Sequence, residues 1–141
     1  MIALYNHYPS PIAFEQSTLL PKLKKTYAAL TSRSLIKPGA HLETIEEIEF
    51  NLINDETICD LHAQFMDDPT PTDVITFHHG EVFISYDTAL READERTIPL
   101  AEELFRYHVH GLLHLAGYDD LSEPEYTEMH ALQESLISEF Y

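Results

Sequence analysis

The sequence predicts a single α/β domain over residues 1–141, with a small mixed sheet of about four strands covered by about five helices. Three observations predict it. The chain has 141 residues and is 44% hydrophobic, enough to bury one core unaided. Stretches with apolar residues at alternate positions are interleaved with stretches at helical spacing, in the order β-α-β-α-β-β-α-α-α. The links between them are too short for every neighbouring pair of strands to be parallel, so the sheet is mixed.

Each element has its own signal. Residues 2–5, IALY, read as a short strand ahead of the Pro9 and Pro11 break. From Pro21 to Ser34, Leu23, Tyr27 and Leu30 recur at helical spacing, and Lys37-Pro38-Gly39 ends that unit as a turn. The segment 41–54, HLETIEEIEFNLIN, is ambiguous. Ile45, Ile48 and Leu52 suit a helix, while Ile48, Phe50 and Leu52 alternate as in a strand. A strand over about 43–53 is preferred, because Asn54-Asp55-Glu56 then forms an N-cap with acids in the first turn of a helix over about 55–66. After the proline-rich loop DDPTPTD come a β-branched strand at 74–77 and an alternating strand at 80–85, GEVFIS. A helix over about 87–93 follows. Ile98-Pro99 opens the longest helix, to about Leu115, with Gly117 at the position of a C-terminal cap. Ser122 caps a last helix running to about Phe140, with Pro124 in its first turn.

Composition narrows the function. No run approaches the roughly 18 apolar residues of a membrane span. The N-terminal stretch lacks the basic and apolar regions of a secretory signal. The lone Cys59 allows no internal disulfide and suits a reducing, cytoplasmic setting. Eight basic side chains face 25 acidic ones, for a net charge of −17, which argues against coating nucleic acid by charge. The distribution is uneven. Residues 1–42 hold Lys22, Lys24, Lys25, Arg33 and Lys37 against one acid, Glu15, so five bases less one acid leave +4 there. These bases read as the solvated face of a helix or, failing that, as a local binding patch.

The chemistry concentrates in HVHGLLHLAGYDD, residues 108–120. His110 and His114 lie about 40° apart on one helical face, so their imidazoles can reach one metal ion. His108 points to the opposite face and is given no function. Gly111 stands where a zinc peptidase would carry its general base, which disfavours a peptidase. A glycine within a helix costs about 1 kcal/mol relative to alanine, and close approach of a backbone or substrate would justify it. The turn at Gly117 can swing Asp119 or Asp120 back toward the two imidazoles. The result is a two-histidine, one-carboxylate site with an open position for water. His78 and His79 are read as structural or surface residues, with lining of the cleft as the alternative because they follow a strand directly.

These residues resemble the YbeY family of bacterial endoribonucleases. His110 through Asp119 follow the family signature H-G-x-L-H-L-x-G-Y-D-H up to its last position. Pro71-Thr72-Asp73-Val74-Ile75-Thr76-Phe77 is similar to the family's P-T-D-V-L-S-F, and Gly80 through Ser85 to its G-D-I-x-I-S strand. The resemblance implies a small α/β fold and one zinc ion held by three histidines. Two of them match His110 and His114, and the third falls on Asp120. An aspartate oxygen binds zinc at a similar distance, and it makes manganese or iron more acceptable than an all-histidine site would. Leu61 through Met66 align with the family's L-N-x-x-Y-R, so Met66 replaces an arginine suited to RNA phosphate.

The resemblance further implies hydrolysis of single-stranded RNA by metal-bound water, in 16S rRNA maturation and ribosome quality control in the cytoplasm. Partners would be rRNA, ribosomal proteins and assembly factors, and the chain would act as a monomer away from membranes. Thr72, Asp73 and Thr76 are candidates for the wall of the substrate cleft, with Asp73 equally suited to capping its turn. The alternative is a non-catalytic ribosome-assembly factor with a structural metal, whose acidic surface suits a basic ribosomal protein or a GTPase.

Overall fold

A computed structural model describes residues 1–141. The chain runs β1 (Ile2–Asn6), α1 (Leu19–Ser32), β2 (Ile48–Ile53), α2 (Asp55–Met66), β3 (Val74–Thr76), β4 (Glu81–Ser85), α3 (Tyr86–Arg96), α4 (Leu100–Leu115) and α5 (Glu123–Phe140). The expected order is therefore the observed one. The four strands form one sheet in the order β1-β2-β4-β3. β1, β2 and β4 are parallel, and β3 pairs antiparallel with β4 at the edge. Between β3 and β4 the link is too short to cross over, which forces that reversal.

The alternation of β2 and β4 divides the interior. Phe50 pairs with Val82 and Leu52 with Ile84 on one face, where they join the main core with residues of α1, α3, α4 and α5. On the other face Ile53, Ile75 and Phe83 meet Ile58 and Leu61 of α2 in a smaller cluster. Burying each leucine or isoleucine here contributes roughly 1.5–3 kcal/mol.

The ambiguous segment resolves as a strand that is shorter than expected. Residues His41–Glu43 form a turn of 3-10 helix that buries Leu42. The strand itself begins at Ile48, where pairing with Ile2 becomes possible. Asn54 caps α2 by accepting from the Thr57 N–H at 3.0 Å, as its sequence suggested. α2 and α3 end without glycine, on Asp67 (φ 53°) and Thr97 (φ 55°). A left-handed residue of either type is strained, and neither was readable as a stop.

α4 is the spine of the molecule, packed against α1, α3, α5 and the sheet. From Glu103 to Ala116 every residue is buried except two, His110 and His114. Three of the five basic side chains of the first third are held by partners, while Lys24 and Lys25 stay exposed. Lys22 donates to the Tyr141 carbonyl, Arg33 pairs with Glu139, and Lys37 pairs with Glu128. They tie the segment around α1 to α5 and to the C-terminus. No helix is long and apolar enough to cross a membrane.

Candidate metal centre and its cleft

The last turns of α4 position the site. Gly117 (φ 100°) lets the chain reverse: its N–H donates to the His114 carbonyl at 3.1 Å and the Tyr118 N–H to the Leu113 carbonyl at 3.0 Å. That pattern satisfies the terminal carbonyls of the helix and needs a left-handed residue. The reversal returns Asp120 to the face of α4 that carries the two histidines.

The side chains converge. His110 Nε2 and His114 Nε2 are 3.1 Å apart, and Asp120 Oδ2 lies 3.6 Å from the first and 3.8 Å from the second. Donor atoms of a tetrahedral zinc site sit about 3.3 Å from one another. Two imidazole nitrogens and one carboxylate oxygen at this spacing fit a divalent cation, and three donors leave a position open. His110, His114 and Asp120 form the group able to hold a metal, and Asp119 is not part of it. Asp119 instead accepts the Asp120 N–H at 2.9 Å, shaping the turn.

Each imidazole is held from behind. His114 Nδ1 is 3.0 Å from the Tyr118 carbonyl, and His110 Nδ1 is 2.8 Å from Gln133 Oε1 on α5. Burial pushes the His114 pKa down, the neighbouring His110 adds to this, and Asp120 opposes it. A neutral imidazole is the form that binds metal. His108 faces the sheet instead, 4.8 Å from the Phe50 ring. It is fully buried, its Nδ1 donates to the Leu104 carbonyl at 2.6 Å, and burial lowers its pKa to about 4.

Gly111 has a packing reason. A Cβ there would stand 2.6 Å from Val82 Cγ1 and 3.3 Å from Thr76 Oγ1. The close neighbours are side chains of β3 and β4, not the backbone or substrate that the sequence suggested. The absent Cβ lets α4 sit down on the sheet and sets the height of the histidines above the cleft.

Two hollows meet at the site, of about 720 and 610 Å3, and share Thr72, Asp73, His110 and Asp120. Thr72 and Asp73 line both. Asp73 also accepts the Val74 N–H at 2.8 Å, a turn-forming role. Thr76 lines the larger hollow, and its buried hydroxyl has no hydrogen-bond partner. Met66, half-exposed, lines the same hollow. So does His78, the alternative its position after a strand allowed, with its ring stacked 4.1 Å from His41. Three arginines, Arg91, Arg96 and Arg106, line the smaller hollow, each already paired with a carboxylate.

Residues 12–141 match the family described as Endoribonuclease YbeY. The chain belongs to the YbeY endoribonuclease family. A YbeY endoribonuclease of Protochlamydia amoebophila is 38% identical over 98 residues, 62% of this chain and 65% of that protein. One from Rhodococcus erythropolis is 32% identical over 86% of this chain and 74% of its own length, and one from Heliobacterium modesticaldum is 35% identical over 87% and 89%. The solution structure of a Thermotoga maritima protein covers 99% of this chain and 89% of its own, with a TM-score of 0.65 at 25% identity. YbeY membership makes the chain a nuclease-family hydrolase, so the enzyme class expected from the motifs stands. The matched residues 12–141 include Thr72 and Asp73 of the cleft wall and the helix that carries both histidines.

Proposed function

We propose that residues 1–141 act as one domain and as a monomer, a metal-dependent endoribonuclease that cuts single-stranded RNA. In this reading His110, His114 and Asp120 hold one zinc ion per chain, and the substrate is rRNA during 16S maturation and ribosome quality control in the cytoplasm. The observation that carries it is the burial of α4. The helix is covered everywhere from Glu103 to Ala116 except at the two histidines, which open with Asp120 onto the cleft.

A zinc ion held by His110, His114 and Asp120 would supply Lewis acidity and lower the pKa of a water in the open position, so that hydroxide would be available as nucleophile near neutral pH. The residues of the chain do the rest. Tyr118 and Gln133 orient the imidazoles. Asp120 adds a negative charge that lowers the net charge of the site relative to three histidines. Thr72 and Asp73 form the wall against which a strand entering from either hollow would lie. The cleft offers no free cation where Met66 stands, so recognition of phosphate rests on the bound ion rather than on an arginine.

A net charge of −17 favours a second reading, a non-catalytic assembly factor that docks basic ribosomal proteins or a GTPase. One experiment separates them. Purified protein with zinc or manganese is given a labelled single-stranded RNA, beside His110→Ala and His114→Ala, and metal content is read by mass spectrometry. Cleavage lost in both variants, with metal lost in His114→Ala, supports the nuclease. Equal cleavage in the variants, or unchanged metal content, would refute it.

A further inference from the structure

The nitrogen of His110 that faces away from Asp120 ends a chain of polar side chains joining α4 to α5. His110 Nδ1 lies 2.8 Å from Gln133 Oε1. Gln133 Nε2 donates to Glu134 Oε2 at 3.1 Å. Glu134 accepts two bonds from Arg106, at 3.0 Å from Nε and 3.1 Å from Nη2. Arg106 Nη1 donates at 2.8 Å to the buried Glu103, whose carboxylate also takes Arg96.

A glutamine amide can be turned end for end at little cost in shape, and only its partners decide which end is which. Here the partners decide. Turned over, Gln133 would set its carbonyl oxygen against the Glu134 carboxylate, two acceptors with no proton between them. The paired grip of Arg106 keeps Glu134 charged and in place. Gln133 therefore presents oxygen to His110. An amide oxygen only accepts, so His110 Nδ1 must carry the proton. The lone pair of the neutral ring is then on Nε2, the atom facing His114 and Asp120.

We infer that Gln133, oriented by Glu134 and Arg106, is a positioning residue that fixes His110 in the tautomer presenting Nε2 to a metal. His114 needs no such device, because its Nδ1 faces the Tyr118 backbone carbonyl, which cannot turn over. The two imidazoles are thus held by different means, and only the one at His110 can be released by changing another side chain. This rests on the reading of His110 as a ligand, and the test keeps the two apart.

The test uses the whole chain, wild type beside Gln133→Met and Glu134→Gln. The ring nitrogens of the histidines are read by 15N NMR after chelation, and zinc affinity by competition with a chromophoric chelator. Wild type should show the Nδ1-protonated form at His110. In Gln133→Met that form should give way to a mixture, with the zinc Kd raised about 10–100-fold, the usual loss for a residue behind a ligand. Glu134→Gln, at a partly exposed position, should move both readouts in the same direction by less. Simple loosening of the contact between α4 and α5 would lower the melting temperature and leave the tautomer alone. An unchanged tautomer and Kd in both variants would overturn the role of Gln133 while leaving the metal site intact. Failure of wild type to bind zinc would instead overturn the site reading beneath it.

Discussion

His108 gives the sharpest stability prediction. It is fully buried against Phe50, its Nε2 has no partner, and its pKa falls from 6.5 to about 4 in the folded chain. The folded protein thus keeps this imidazole neutral while the unfolded chain protonates it below pH 6.5. The stability it contributes is complete above pH 6.5. As pH falls to about 4 it is lost at about 1.4 kcal/mol per pH unit. The full window is worth about 3 kcal/mol, a large share of the 5–15 kcal/mol typical of a domain. Between pH 7 and pH 5, where ordinary carboxylates stay charged, the loss from His108 alone is about 2 kcal/mol. Urea unfolding of chelated protein at pH 7, 6 and 5 measures it, with His108→Leu as the reference. Removing metal matters because metal binding is itself pH-dependent. His114, also lowered, is common to both proteins and cancels in the difference. His108→Leu should gain on wild type by about 2 kcal/mol across that range. A stability difference that stays constant from pH 7 to pH 5 would refute the burial argument.

The other predictions concern the site. Asp120→Ala removes one of three donor atoms and should weaken zinc binding by more than about 100-fold, beyond the loss expected for a residue behind a ligand. Asp119→Ala, which removes only the carboxylate that shapes the turn, should cost far less; equal losses in chelator competition would show that the third ligand is misassigned. Met66→Arg places a cation in the larger hollow. It should tighten single-stranded RNA binding and steepen its salt dependence by about 0.7 in the logarithmic slope, one phosphate contact. A salt slope identical to wild type would mean that RNA does not pass Met66.

What the sequence made legible was local, and what it hid was distant. Periodicity separated strands from helices and placed His110 and His114 on one face, because both signals lie within one or two turns of chain. The sequence pattern allows a strand from about 43, five residues before the strand itself at Ile48, since pairing with Ile2 decides where the strand starts and that partner is far away in sequence. Asp119 and Asp120 could not be told apart by spacing, because the direction of a side chain after a left-handed glycine depends on the turn itself. The family signature pointed to Asp120, and the turn brings that carboxylate to the imidazoles. Gln133 left no signal at all. It lies 23 residues beyond His110 on another helix, and nothing in ALQES distinguishes it from any polar residue of an amphipathic stripe. The burial of α4 explains why such a partner is needed. A helix packed on every side holds its two uncovered histidines rigidly in position but leaves their ring protons undetermined. The ring protons are fixed by whatever lies behind each ring, a backbone carbonyl for His114 and a locked amide for His110. The candidate ligands thus lie in one short segment, while the readiness of His110 as a ligand, on the proposed reading, depends on how α5 packs against it.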